Sequence, residues 1–529
     1  MRAQHFDTVI IGAGHNALVC AAYLARAGQK VAIVERRSTA GGACVSEELV
    51  DGYRFSTASL VTSLFQQSII EDLDLASHGL AIVPRAPSVT SLLPDGSHLM
   101  LGRDPVSDAA EIAKFSRRDA KRYVEYGDTM HRLWGEVKSL FTGPSREPVA
   151  SDPEQLRSIL HGAVNMSNSD LRNLFSVMFD SARNHLDSWF DSEEVKAPLA
   201  IDGITGVAAG PSTPGTAYLM LYHQAGSTEQ GRPAWGHVRG GMGGLTTALR
   251  HSAESCGATV LTGTLVTEIV VDDGKAVGVR LEDGTIFRAH SVVSGADPRR
   301  TVSLLTDGSG LPSAYRHAVA QLDFRGIAAK LHLALDRLPP IRGFSQEEAI
   351  AEPYRGTLLI APTLDYLDAA YEDARAGRPS SSPHIECTTP TVLDPSLAPP
   401  GKHLMSMYIQ YTPYDLAEGS WSDTGPDFTD TVLKVVEEHL PGLTASVTDR
   451  VFLAPPDLER SLGLSGGNLY HSAMSPADLF FSRPVHGYAD YTTPIRNLYL
   501  CGSGTRPGGG VFGVPGRNAA KLLIDSSSA

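Results

Sequence analysis

Gly12, Gly14 and Ala17 stand at the spacing G-x-G-x-x-A, and Glu35 follows 23 positions after Gly12. Residues of those types at that spacing suit a dinucleotide. Gly12 permits a tight turn, Gly14 lets the backbone approach a pyrophosphate, and Ala17 is small enough for close packing. His15 and Asn16 open the helix that follows, where free N–H groups favour an anion. Glu35 can accept hydrogen bonds from a ribose diol and would repel a 2′-phosphate, which disfavours NADP. Far away in sequence, His471 ends the run Gly463–His471, and Arg506 sits in the glycine-rich segment Gly502–Gly516. His471 is the first candidate for moving a proton, because it lies close in sequence to that glycine loop. A structural histidine bonded to backbone is the competing reading. Arg506 is a second catalytic candidate, better suited to fixing a carboxylate or a cofactor than to carrying a proton. His223 and His237 are weaker candidates.

These residues need particular elements to position them. Thr8–Ile11 is a β-branched apolar run that predicts a buried parallel strand. Leu18, Ala21, Ala22, Leu24 and Ala25 recur at helical spacing, Gly28 is a C-cap, and Val31–Val34 predicts a second buried strand ending at Glu35. Near the other end, Leu498–Leu500 predicts a strand, and Gly513 and Val514 open a final helix whose N-terminus can face an anionic group.

The chain has 529 residues, enough for two or three domains. Its net charge of −14, without long basic runs, argues against nucleic-acid binding. No apolar run approaches the roughly 18 residues of a transmembrane helix, although peripheral membrane association stays open. Cys20, Cys44, Cys256, Cys387 and Cys501 are scattered, with no C-x-x-C pair and no Cys/His spacing for zinc, so no metal site is expected. Scattered thiols and a first strand that begins within a few residues of Met1 predict a cytoplasmic protein. Gly-Gly-Ala-Cys44 looks like the start of a disulfide-reductase motif, but Val45–Val50 hold no second cysteine, so Cys44 reads as a small buried thiol.

Between the two ends the character changes. Leu80–Val83 and Ser91–Leu101 are strand-like, the second around the turn Pro94-Asp95-Gly96. Helices are predicted near 108–140, 154–161 and 169–186, with a loop over 143–153. Trp189–Gln224 suits either a cavity wall or plain helix packing. His237–Ala253 is rich in glycine but is not read as a second nucleotide site, because no buried strand precedes it and no acid-ended strand follows at the right distance. Strands are predicted at Thr259–Leu261, Val266–Val271, Ala276–Leu281, Ile286–Ala289, from Val292 into a small-residue turn, at Lys330–Leu335 and Ser406–Thr412, and a helix at Thr429–Leu440.

Glu35 followed by Arg36, Gly41, Gly42 and Ala43 is similar to flavoproteins that bind FAD in an extended pose. Together with FDSEEVKAPLA, GPSTPGTAYL, RGGMGGL, GGNLYHSAMSPADLFFSRP and LYLCGSGTRPGGGVFGVPGRNAA, the chain resembles the phytoene desaturase–like FAD-dependent oxidoreductases. Within them it is most similar to the pyridine nucleotide-disulfide oxidoreductase domain-containing protein 2 group. The resemblance implies an α/β fold of the amine oxidase/phytoene desaturase kind. A discontinuous Rossmann-type FAD-binding domain (1–68, 235–305 and 455–529) would carry an inserted mixed α+β substrate domain (69–234 and 306–454). It implies FAD contacts from Val266, Gly502, Gly513 and Val514, and hydride transfer from an apolar, isoprenoid or carotenoid-like small molecule to flavin N5, with an electron acceptor the sequence does not name. Alternatives are a carotenoid ketolase-type or C–N oxidising flavin oxidase, and a non-catalytic flavoprotein that serves as an interaction module. Arg506 departs from the histidine common in the T-H-P-G-G-G slot of relatives.

Overall fold

The structure is a computed structural model that describes residues 4–143, 166–226, 235–305, 310–344 and 352–527. The predicted helix near 154–161 and nearly all of the loop over 143–153 lie outside these residues.

The chain opens with strand β1 (Gln4–Ile11), helix α1 (His15–Arg26) and β2 (Val31–Val34). A ribbon follows, β3 (Ser46–Val50) with β4 (Tyr53–Ser56), and then β5 (Ile82–Pro84) and the hairpin β6 (Val89–Leu92) and β7 (His98–Leu101). A helical stretch includes Arg117–Thr142, α2 (Glu193–Ile204) and α3 (Ala217–His223). After β8 (Gly236–Val238) and α4 (Gly243–Ser255) come β9 (Thr259–Leu261), β10 (Val266–Asp272), β11 (Lys275–Leu281) and β12 (Ile286–Ser294). Next are β13 (Ala328–Leu335), β14 (Thr357–Ile360), β15 (His384–Thr388), β16 (His403–Gln410), helix α5 (Trp421–Glu437) and β17 (Val447–Leu453). Strand β18 (Leu498–Leu500) and helix α6 (Val514–Ser527) end the described chain.

Two seven-stranded sheets organise these elements. The first runs β10-β11-β12-β1-β2-β9, with β18 also paired to β12. Its centre is parallel: β1 pairs in parallel with both β2 and β12, and β18 pairs in parallel with β12. Such a centre is buried on both faces, which is why β2 reads VAIV without alternation. β12 joins the strands expected at Ile286–Ala289 and from Val292 into one, because Ser291 continues the pairing with β1. Helix α6 lies against α1 so closely that a Cβ at Gly516 would stand 2.0 Å from the Asn16 carbonyl oxygen.

The second sheet runs β17-β13-β16-β15-β14-β6-β7. Here the pleat alternates, although both faces are buried. Leu331, Leu333, Leu358, Ile360, Ile385, Met405, Met407 and Ile409 face one way and pack with Phe428, Val432 and Val436 of α5. The opposite positions carry Lys330, His332, Thr357, His384, Glu386, Thr388, Ser406, Tyr408 and Gln410. The registers Lys330↔Tyr408, Glu386↔Tyr408 and Leu359↔Glu386 place these residues in one row across four strands. The second sheet therefore turns a buried polar face away from its apolar core.

Candidate active site

A cavity of ≈ 370 Å³ runs between the two sheets. At one end are the carboxyl ends of β1 and β2. The Glu35 carboxylate is fixed there, accepting from the Ala13 amide at 2.8 Å and the Arg37 amide at 2.8 Å. Gly41 bridges back to Gly14, and its amide donates to the Ala13 carbonyl at 2.8 Å. This holds the Gly41–Ala43 segment against the turn.

The residues here fit the phosphates and ribose of a dinucleotide. Gly12 (φ +84°) and Gly14 line the cavity, and a Cβ on either would meet no protein atom within 4 Å. The space in front of them is open to a ligand, and α1 begins at Gly14 without a side-chain cap. His15 Nε2, Asn16 Oδ1 and His471 Nδ1 are buried and lack a hydrogen-bond partner. Three orphaned polar atoms around a helix N-terminus mark a place for a polar, anionic group. His15 is held neutral, its pKa pushed down to about 3 by burial and then by His471.

Of the residues singled out from the sequence, Gly12, Gly14, His15, Asn16, Ala17, Glu35, Arg36, Gly42, Ala43, Val266, Gly502 and His471 line this one cavity. Gly41 stands directly behind Gly14. Gly513 and Val514 do not line it: a Cβ at Gly513 would meet Phe65 and Ile69, and Val514 is buried in an apolar cluster. Gly510 and Val511, a few residues earlier, take that place. Arg506 is also turned elsewhere, with its guanidinium 5.5 Å from the Phe481 ring centroid and its carbonyl accepting from Tyr491 Oη. Arg506 is therefore not among the residues that line the cavity.

His471 is in the cavity, but at the nucleotide end. Its electrostatic neighbours are His15, Asp297 and Arg300, and burial pushes its pKa down. Closeness in sequence to the glycine loop put it near the nucleotide, not near the polar sheet face. His237 faces Asp394, with Nε2 3.7 Å from Oδ2, and is not among the residues that line the cavity. The segment 189–224 does wall the cavity, through Ile201, Asp202, Thr205, Gly206 and His223.

The far end of the cavity was not foreseen. Leu60, Val61, Leu64, Ile201 and Trp235 form an apolar middle, and beyond them stand Asp202, Thr357, Glu386, Thr388 and Tyr408. Burial raises the pKa of Asp202, and burial with Asp202 nearby pushes Glu386 up to about 7. A second cavity of ≈ 190 Å³ adjoins this end and shares Asp202, Glu386, Thr357 and Trp235. Arg85 lines it, donating to Thr357 Oγ1 at 2.7 Å and to the Arg355 carbonyl at 3.1 Å. Arg483, also missed, is fully buried and donates to the carbonyls of Tyr470, Ala473 and Ser503, which ties the His471 turn to the Gly502 loop.

Cys44 is buried, with Sγ 3.6 Å from His15 Nδ1, and all five cysteines are free thiols. Burial pushes the Cys44 thiol up to about 12. Among the described residues no group of His, Cys, Asp and Glu could hold a metal ion, and no helix is long and apolar enough to cross a membrane.

A dinucleotide cradle that opens into a chamber under a second sheet defines an FAD-dependent oxidoreductase. The chain belongs to the flavin-containing amine oxidoreductases, whose family model matches residues 18–520. It is 40% identical to mouse pyridine nucleotide-disulfide oxidoreductase domain-containing protein 2, over 98% of this chain and 93% of that one. It is 25% identical to phytoene desaturase (lycopene-forming) of Pseudescherichia vulneris, over 98% and 99% of the two chains. Among solved structures, cyclohexylamine oxidase from Brevibacterium oxydans superposes with a TM-score of 0.60 at 16% identity, covering 99% of this chain and all of the other. The expected resemblance, fold class and cofactor are borne out by these likenesses.

Proposed function

We propose that the protein is an FAD-dependent dehydrogenase or desaturase of a small molecule with a largely apolar body. The observation that carries this reading is the single cavity running from Glu35, past the Gly12–Gly14 turn and an apolar middle, to the polar face of the second sheet. When bound, FAD supplies a two-electron acceptor at flavin N5. The chain's own residues do the rest. Glu35 and the turn hold the nucleotide, and His15 and His471 offer hydrogen bonds to its polar linker. Leu60, Val61, Leu64, Ile201 and Trp235 exclude water and orient the substrate.

A second reading, oxidation of a C–N bond, is favoured by Asp202 and Glu386, because two half-buried carboxyl groups lining the cavity suit a substrate that brings a cation or a hydrogen-bond donor. Three ring compounds of one size separate the readings. The purified protein, with its FAD content measured from absorbance, is mixed without oxygen with cyclohexene, cyclohexanol or cyclohexylamine. Bleaching by the alkene or the alcohol supports dehydrogenation of a carbon or oxygen centre. Bleaching by the amine alone supports the second reading. A protein that is colourless and takes up no FAD overturns both.

A further inference from the structure

We propose that Glu386 is the group that takes the substrate proton, and that Lys330 is a positioning residue that sets the charge of Glu386. This rests on the FAD-dependent oxidation proposed above.

Three observations lead here. First, Glu386 lines both cavities, so it touches the substrate chamber on one side and the adjoining chamber on the other. Second, Glu386 Oε1 and Lys330 Nζ are buried atoms without a hydrogen-bond partner. His384 Nε2 stands 3.5 Å from Oε1, and both nitrogens of that ring are also unpartnered. A fold rarely leaves a carboxyl, an amine and an imidazole orphaned side by side unless a ligand or a moving proton uses them. Third, the register fixes their relation. Lys330 and Glu386 both stand opposite Tyr408 from its two sides, and Lys330 Nζ is 5.9 Å from that ring's centroid. Two strand spacings, about 10 Å between backbones, separate them on the same sheet face, with Tyr408 between.

The step balances. In a substrate CH–XH unit (X carbon, oxygen or nitrogen) the C–H bond breaks with its electron pair, which leaves as hydride to the flavin. The X–H proton passes to Glu386, and the X–H electrons form the C=X bond. Glu386 then releases the proton on its other side, where Asp202 also borders the second chamber. A cationic Lys330 keeps Glu386 ionised and ready to accept. The other ionisable groups acting on Glu386 are Asp202, Arg85, His384, Tyr408 and Tyr470. His384 is held neutral by burial, and both tyrosines stay protonated. Lys330 is pushed down to about 7 by burial, against the pull of Glu386, so the pair changes charge near neutrality.

The test uses the FAD-loaded wild type and the variants E386Q, E386D and K330M, with whichever of the three ring compounds bleaches the wild type. E386Q is expected to slow flavin reduction about 100-fold or more and to abolish its rise with pH, while E386D keeps that rise. K330M is expected to move the rise upward by about one pH unit or more. Infrared titration gives a readout free of turnover: a protonated-carboxyl band absent from E386Q, whose midpoint moves up in K330M. Unchanged rate and pH profile in E386Q, or a band that K330M leaves in place, overturns the proposal. A wild type that binds FAD but is bleached by none of the compounds fails the dehydrogenase reading instead, and the infrared titration then decides the pair on its own.

Discussion

Two imidazoles and one carboxyl show how burial divides labour between residues. His15 and His471 sit beside each other without hydrogen-bond partners on the atoms that face inward, and burial keeps them neutral. His471 also adopts φ +62°, a left-handed conformation that asparagine tolerates better than alanine. The variant H471N should therefore fold and should weaken FAD retention, on the order of tenfold by equilibrium dialysis. It should leave the pH profile of flavin reduction in place, and a profile that moves would return His471 to proton transfer. Glu386 carries the opposite signature. Its pKa is raised on folding from about 4.5 to about 7, so its contribution to stability is complete below pH 4.5 and is lost as pH climbs through 7. Glutamine lacks that titration. The stability difference between E386Q and wild type should be near zero at pH 4.5 and grow to on the order of 3 kcal/mol in favour of E386Q above pH 7, as measured by denaturant unfolding.

The elements differ in how openly the sequence announces them. The first β-α-β unit was legible because three signals agree there: the apolar runs of β1 and β2, the helical spacing of α1, and glycines where the backbone must come close. The polar end of the site was not legible. In β13, AAKLHLAL alternates, and polar positions in an alternating strand ordinarily face water. Here every residue of β13 is buried: Lys330 shares the sheet face of Tyr408 and Glu386, and the His332 ring lies 5.0 Å from that of Phe55 in the β3–β4 ribbon. β14 and β15 were missed because, unlike the equally short β2, neither sits inside a nucleotide-binding motif that fixes its place. The clue that was present, Asp202 inside the apolar run of α2, points to a buried acid but not to its partner. Glycine gives a sharper test of element and ligand. Gly14 has φ −69°, ψ 165°, which any residue adopts, and a Cβ there meets nothing. G14V should change apo stability by no more than about 0.5 kcal/mol and lower FAD affinity at least about tenfold, as read by unfolding and flavin fluorescence. Loss of the fold would mean that the turn itself, and not the nucleotide, demands glycine.

At the scale of the molecule, the nucleotide end is assembled from stretches that are far apart in the chain. Strand β18 joins the first sheet through β12, and α6 seals α1. The cavity lining draws on Gly12–Ala17, Val266, Gly295, Gly463 and Gly502 together. A ligand in contact with all of these binds the folded chain and has no counterpart in the unfolded one. Free FAD at a hundredfold excess over Kd should therefore add about 2.7 kcal/mol, visible as a rise in the unfolding temperature of flavin-stripped protein.

The five free thiols give the molecule a chemical clock. Cys256 is exposed, whereas Cys20, Cys44, Cys387 and Cys501 are buried. Thiol alkylation is carried by the thiolate, so a single fast-labelled cysteine should mark the closed form. The rate at which Cys44 is tagged would then count how often the wall beside His15 breathes open.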